Sequence, residues 1–268
     1  MSAPLALRIT GIGAWAPGAP DWQHLRGILR GESVPDDDAP ARPAGAVLPA
    51  AERRRAPDGV RLTADVAAQA TAMAGIDPAT IPCIFASTHG EVGITDYVCE
   101  TLAHAPLELS PTKFHNSVLN APAGYWTIAT GCTAASGAVT AHHRSFAAGL
   151  LEAAVFACAE GTPVLFACCD VASSGPLAEM TRTTLAFGAA LVFTPDGPAG
   201  AGATIRLALG GATHEPFVDA VLAPPGVAGD NRANGHALAL LQPLAAETTA
   251  RLRLPLSSGL SLDMEITP

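Results

Sequence analysis

Positive charge is scarce in this chain: 15 Lys and Arg stand against 24 Asp and Glu in 268 residues, a net charge of −9. Neutralising phosphates takes clustered cations. The one basic run, Arg53-Arg54-Arg55, reads as a solvated turn, so no nucleic-acid surface is expected. Apolar runs long enough to span a bilayer are missing. The opening MSAPLALRITG lacks a basic leader followed by a long apolar stretch, which makes a cytoplasmic location the expectation. None of the six cysteines forms a C-x-x-C pair. Cys83, Cys99, Cys132, Cys158, Cys168 and Cys169 therefore read as free thiols, most of them in apolar surroundings. No metal-ligand pattern and no cofactor motif survives inspection. Gly11-x-Gly13-x-x-Ala16 spells a dinucleotide fingerprint, but that motif needs a helix opening at the glycines. Pro17-Gly18-Ala19-Pro20 starts a loop there instead.

Apolar residues make up 49 % of the chain, enough to bury a sizeable core. The stretch from Ser110 to Asp170 carries the clearest pattern. Ser110-Pro111 is a helix start, and Phe114, Val118, Ala121 and Tyr125 or Trp126 follow at three- and four-residue steps. Gly131 is a stop. A β-like run from Thr133 to Thr140 comes next, then an Ala-rich helix from Arg144 to Ala159. Val164 to Cys169 is continuously apolar, which suits a strand covered on both faces.

Elsewhere, Leu5 to Ile12 is β-like, and Asp21 caps an amphipathic helix to Gly31. Glu32 to Pro49 is a loop. Gly59 to Gly75 is a helix of small residues that can lie close to its neighbour. Ile81 to Ser87 is a strand ending in the turn Thr88-His89-Gly90-Glu91, whose side chains read as solvated or backbone-bonded, the alternative being His89 and Glu91 as a polar pair at a site. Gly93 to Ala103 carries a helical face. Ala186 to Thr194 and Thr204 to Leu209 are strands. Two alternating segments around Ser257-Ser258-Gly259 read as a β-hairpin.

The order helix, strand, helix, strand, with these residues, resembles the N-terminal half of the ketosynthases, condensing enzymes of thiolase fold. Asn120 to Gly124 matches that family's Asn-x-x-x-Gly helix, and Thr140-Ala141 matches the first two residues of its Thr-Ala-Cys strand end. The segments FHNSV-NAP-GYW (Phe114 to Trp126) and SFAAGLLEA (Ser145 to Ala153) are similar to chain-length-factor-like subunits of aryl polyene and xanthomonadin clusters. The resemblance covers about residues 5–30, 48–131 and 140–195. It implies an α/β, thiolase-like fold: a ketosynthase N-terminal-like domain over residues 1–210, and a divergent C-terminal segment over 211–268 packing on the same core.

The next residue after Thr140-Ala141 is His142, where the family has its acyl-carrying Cys. An imidazole cannot hold a thioester, whereas a thiolate is both ionisable and soft. The family's second-half His-x-Thr is absent. Asn231 to His236 spells Asn-x-x-x-Gly-His, but the residues behind His236 lack the expected small side chains. They read as a short helix packing Leu238, Leu241 and Leu244. The resemblance thus implies no catalytic residue and no cofactor. It points to a non-catalytic chain-length-factor-like partner of a catalytic ketosynthase. That partner would help shape the tunnel for a chain carried on acyl carrier protein. Tunnel or interface candidates are Phe114, His115, Asn116, Asn120, Tyr125, Trp126, His142, His143 and Phe146. Pairing would run across Pro163 to Cys169 or the adjacent Thr133 to Thr140. The alternative is a small condensing or acyl-transfer enzyme using Cys132, His142 or His236. A lone half of the fold leaves an apolar helical face, to be covered by the C-terminal segment or by a partner.

Overall fold

A computed structural model describes residues 4–195, 202–211 and 235–268. Its elements in chain order are β1 (Leu5–Trp15), α1 (Trp22–Leu29), α2 (Ala50–Arg55), α3 (Asp58–Ala74), β2 (Cys83–Ala86), α4 (Val92–His104), α5 (Pro111–Asn116), α6 (Ala121–Thr130), β3 (Ser136–Val139), α7 (Ser145–Glu160), β4 (Val164–Asp170), α8 (Ala178–Thr181), β5 (Phe187–Pro195), β6 (Ala203–Gly211), α9 (Gly235–Ala246), β7 (Ala250–Pro255) and β8 (Leu260–Thr267). The strands form one eight-stranded sheet in the order β3-β2-β4-β5-β1-β6-β8-β7. β3, β2 and β4 run parallel, and the remaining pairs are antiparallel.

Small residues set how closely the layers approach. A Cβ at Gly11 would lie 2.0 Å from the carbonyl oxygen of Ala70, and one at Gly13 would lie 2.0 Å from that of Val66. Both glycines let β1 press directly against α3, the helix of small side chains. The formal nucleotide fingerprint is therefore a packing device, and no helix opens behind it: Ala16 and Ala19 close a tight bridge instead. Gly75 ends α3 in the left-handed conformation at φ 66°, as its position predicts.

α3 and α6 cover one face of the sheet, with Leu62, Val66, Trp126, Leu165 and Val192 in a shared core. On the other face, α1, α7 and α9 enclose Leu25, Phe146, Leu150, Phe166, Leu238 and Leu241. The apolar side of α7 is thus met by the C-terminal α9, and the last hairpin extends the same sheet. Leu238, Leu241 and Leu244 are buried from α9, as the helix reading after His236 requires. Asn231 and its neighbours to Asn234 lie outside the described residues.

β4 is buried along all its length and hydrogen-bonded on both sides, to β2 and β5. Its two apolar faces meet the two helical layers, so it has no edge to offer a partner. β3 ends the sheet. The helix expected from Ser110 to Thr130 is also two helices. Ser110 caps α5, its Oγ accepting from the Lys113 backbone N–H at 3.4 Å, but α5 closes at Asn116. α6 begins only at Ala121 with Pro122 in its first turn, where a missing N–H costs nothing.

Candidate functional site

The parallel strands β3, β2 and β4 end at one edge of the sheet, where ligands of open α/β sheets gather. Asp170 closes β4 there, fully buried. Its carboxylate accepts from Ser87 Oγ at 2.6 Å, from the Thr88 N–H at 2.9 Å and from the His89 N–H at 3.4 Å. Burial raises its pKa, and these donors oppose the rise. Thr140 Oγ1, just past β3, donates to the Thr88 carbonyl at 3.2 Å. The three strand ends are thereby tied together.

Between β3 and α7 the chain turns sharply at His142, whose φ is 55°. A non-glycine residue in the left-handed region carries strain that its surroundings must hold. Ser145 holds it: its Oγ accepts from the Ala141 N–H at 2.9 Å and donates to the His142 carbonyl at 2.6 Å. A strained strand-to-helix turn of this kind lifts the turn residue's side chain clear of the backbone, the geometry that nucleophiles use in other α/β enzymes. Here the lifted side chain is an imidazole.

The His142 and His143 ring centroids are 3.9 Å apart, and His89 stands 5.6 Å from His142 and 6.3 Å from His143. His236, at the start of α9, is buried within electrostatic reach of His143. Burial depresses its pKa to about 4. Burial and the two neighbouring imidazoles likewise depress that of His89. His89 thus stands in a cluster with His142 and His143 rather than in a pair with Glu91 or alone on a turn. The signal that could have found it was positional, a histidine just beyond a parallel strand's carboxyl end.

Glu91, its neighbour, serves the fold. It accepts from the Gly59 N–H at 2.8 Å and so caps α3 from outside the helix. Burial lifts its pKa to about 7, with Asp58 and Asp170 adding. Glu91, Asp170, Cys169, Asn116, Val118 and Leu119 line a small cleft beneath the α5–α6 turn.

The other candidates divide. Asn116 is buried, with Nδ2 donating to the Arg55 carbonyl at 3.0 Å and Oδ1 accepting from the Tyr125 hydroxyl at 3.0 Å. His115 stacks obliquely beside Tyr125 at 6.3 Å. Phe114 is exposed, and Asn120 is exposed at the start of α6. Trp126 and Phe146 lie wholly inside the two cores, Phe146 against Phe166 at 5.6 Å.

No thiol stands ready for chemistry among the buried cysteines. Burial pushes Cys83 up to about 12 and raises Cys168 and Cys169 as well. Cys132 is buried, its Sγ donating weakly to the Ile81 carbonyl at 3.5 Å. Among the described residues, no three His, Cys, Asp or Glu side chains are arranged to hold a metal ion, and no helix is long and apolar enough to cross a membrane.

Solved structures with this fold are numerous. The ketosynthase (ApeO) in complex with its chain length factor (ApeC) from Xenorhabdus doucetiae aligns with TM-score 0.69 at 22 % identity, covering 97 % of this chain and 99 % of that one. The ishigamide ketosynthase/chain length factor aligns with TM-score 0.70 at 13 % identity, covering 98 % and 99 %. AntDE:AntF, a type II polyketide synthase carrier protein in complex with its ketosynthase, aligns with TM-score 0.69 at 11 % identity, covering 100 % and 99 %. These likenesses establish a thiolase-like ketosynthase fold. Among curated proteins, no sequence match is found. The family model described as beta-ketoacyl synthase, N-terminal domain, matches residues 29–255. On the strength of that match, which spans most of its length, the chain belongs to the family of beta-ketoacyl synthase N-terminal domains.

Proposed function

We propose that this chain is a non-catalytic, chain-length-factor-like subunit that pairs with a catalytic ketosynthase in the cytoplasm. In that pairing it shapes the channel for a growing aryl polyene carried on acyl carrier protein. The observation that carries the reading is His142 at the strained turn between β3 and α7. Condensation needs a nucleophile there that can accept and release an acyl group as a thioester. An imidazole does not form that bond, while it fills the position sterically and keeps the turn's scaffold intact. Burial of the nearby thiols of Cys168 and Cys169 leaves no substitute on β4.

Two further features support a paired subunit. Among the described residues the sheet stops at β3, and none of them pairs with its outer edge. Open edges recruit strands from other chains. The solved structures that share the fold include ketosynthase/chain length factor complexes.

The test is co-expression with a full-length ketosynthase from the same gene neighbourhood, followed by size-exclusion chromatography with light scattering. A stable one-to-one complex is expected. A monomer that ignores the ketosynthase at micromolar concentration refutes the assignment, and a homodimer alone removes the chain-length-factor role.

A further inference from the structure

One side-chain bond ties the end of β3 to the end of β2: Thr140 Oγ1 donates to the Thr88 carbonyl at 3.2 Å. Imidazoles stand on both sides of it. His89 follows Thr88, and His142 and His143 follow Thr140-Ala141. The rings of the two sides lie close, His89 at 5.6 Å from His142 and at 6.3 Å from His143. His89 Nε2 is buried and finds no hydrogen-bond partner among the described residues. Burial lowers the pKa of His89, and the charges that add to this are those of His142 and His143. Arg144, the N-cap of α7, brings a permanent cation to a helix end whose dipole already disfavours cations. From α9, His236 lies within electrostatic reach of His143. From β4 comes Asp170, whose carboxylate is occupied by Ser87 Oγ and by the N–H groups of Thr88 and His89. Glu91 is turned to the Gly59 N–H. His142 is exposed, so protons reach the group from solvent.

We infer that these two strand ends form an acid-operated latch: protonation of the imidazoles on its two sides drives the end of β3 and the start of α7 away from β2. Neutral rings pack here without repulsion, whereas charged rings at this spacing repel one another. Inside the closed latch a protonated His89 has no acceptor for its Nε2–H, and water supplies one once the latch opens. The sign follows from linkage. A histidine held below its ordinary 6.5 stabilises the closed form above that pH and loses the contribution as pH falls. The turn is also where the fold has least margin. His142 holds left-handed backbone at φ 55°, braced by the two Ser145 Oγ hydrogen bonds. β3 is four residues long and ends the sheet among the described residues, so it can shift while β2 stays paired with β4. α7 packs on β3 and moves with it. Opening the latch therefore displaces the strand proposed to meet the ketosynthase, and acid loosens the pair. That link to pairing rests on the proposed subunit role; the latch itself does not.

The experiment is hydrogen exchange read by mass spectrometry on the isolated chain at about pH 7.5 and about pH 5.5, corrected for the intrinsic pH dependence of exchange. In the parent, protection over residues 136–150 should fall at least about tenfold on acidification, while α3 keeps its protection. His89→Gln/His142→Asn removes a chargeable ring from each side, and Asn tolerates the left-handed turn. Its loss of protection should stay under about twofold, with the two single variants in between. Thr140→Val cuts the tie without touching an imidazole and should open the same residues already at about pH 7.5. His104→Gln, exposed at the end of α4, should behave as the parent. Parental protection unchanged by acid overturns the inference. So does an equal loss in the double variant, a loss shared by α3, or full protection in Thr140→Val. With the ketosynthase bound, Kd should rise about tenfold over the same pH range for the parent and under about twofold for the double variant. A Kd indifferent to pH overturns the link to pairing. If no complex forms at either pH, the subunit assignment fails, and exchange in the isolated chain still decides the latch.

Discussion

Tyr125 donates its hydroxyl proton to Asn116 Oδ1 at 3.0 Å, with both side chains buried, and so clamps the end of α5 to the first turns of α6. Asn116 passes the link on to the Arg55 carbonyl. One pair therefore fixes the bend that separates two helices and holds α2 against them.

Removing that hydroxyl leaves a buried acceptor without its donor, a loss of about 1–3 kcal/mol. Tyr125→Phe should lower the urea midpoint accordingly while leaving the slope of the transition unchanged. An unchanged midpoint would show that the clamp contributes nothing.

Gly11→Ala should be far more damaging than its chemistry suggests. The added methyl would meet a backbone carbonyl at 2.0 Å, and β1 lies in the middle of the sheet with no room to withdraw. Overpacking of this kind costs about 1–3 kcal/mol or more. Gly124→Ala, in α6 with nothing within 4 Å, should be neutral or stabilising by up to about 1 kcal/mol. Equal melting temperatures for the two variants would refute the packing account of β1 and α3.

Two buried groups tilt stability in opposite directions with pH. Glu91 has a folded pKa of about 7 against an ordinary 4.5, so the folded state holds the extra proton between those values. Its contribution is largest below about pH 4.5 and falls as pH rises towards 7. His236 has a folded pKa of about 4 against 6.5, so there the unfolded state holds the extra proton. Its contribution is present above about pH 6.5 and is lost as pH falls towards 4. The two slopes partly cancel in the parent. Glu91→Gln should therefore make stability rise more steeply with pH between 5 and 7, and His236→Asn should make it fall. Chemical denaturation across that range reads both slopes; parallel curves for parent and variants would contradict the assignments.

Intact-mass measurement after incubation with acyl-loaded carrier protein should show no acyl adduct on the chain. His142→Cys should not restore condensation, since a thiol at the turn still lacks the family's His-x-Thr imidazole. Turnover by that single variant, or a stoichiometric adduct lost in Cys132→Ser, would return the chain to the condensing enzymes.

Most of the architecture was legible because periodicity reports which face is buried. The unbroken apolar run from Val164 marks a strand with helices on both sides, and Gly75 and Gly131 stop their helices where αL geometry demands it. The break at Ser117 to Asn120 was not legible, because the helical spacing of Phe114, Val118 and Ala121 continues across it. Only Pro122, which suits a first turn, hinted at a restart. The exposure of Phe114 and Val118 follows from that break. The turn at His142 was located by its resemblance to a strand end, but its left-handed backbone depends on Ser145, three residues on. His89 and His236 are far from it in sequence and meet it only through the topology of the sheet.

The pairing surface gives the last prediction. β3 is four residues long, and its inner edge is satisfied by β2. Ile128 on α6 is 72 % exposed and Val155 on α7 is 48 % exposed. Both helices pack against β3, so these side chains belong to the layers that flank the open strand. A partner strand added there gains main-chain hydrogen bonds, and the flanking apolar groups supply burial at about 25 cal/mol per Å². Much of that is offset by the cost of association, so a stable complex needs an interface of roughly 1,600 Å² in total. Ile128→Glu places a charge in that layer. In the isolated chain the change is on the surface and should shift stability by no more than about 0.5 kcal/mol. In the complex it should weaken association at least about tenfold, through the desolvation of an unpaired carboxylate. Leu209→Glu makes a comparable change at a half-exposed position on β6, beyond the far side of β1. It should leave the complex intact. Light scattering on co-expressed pairs separates the outcomes: a complex that tolerates Ile128→Glu pairs elsewhere than at β3, and one lost equally with Leu209→Glu was held by general stickiness rather than by this edge.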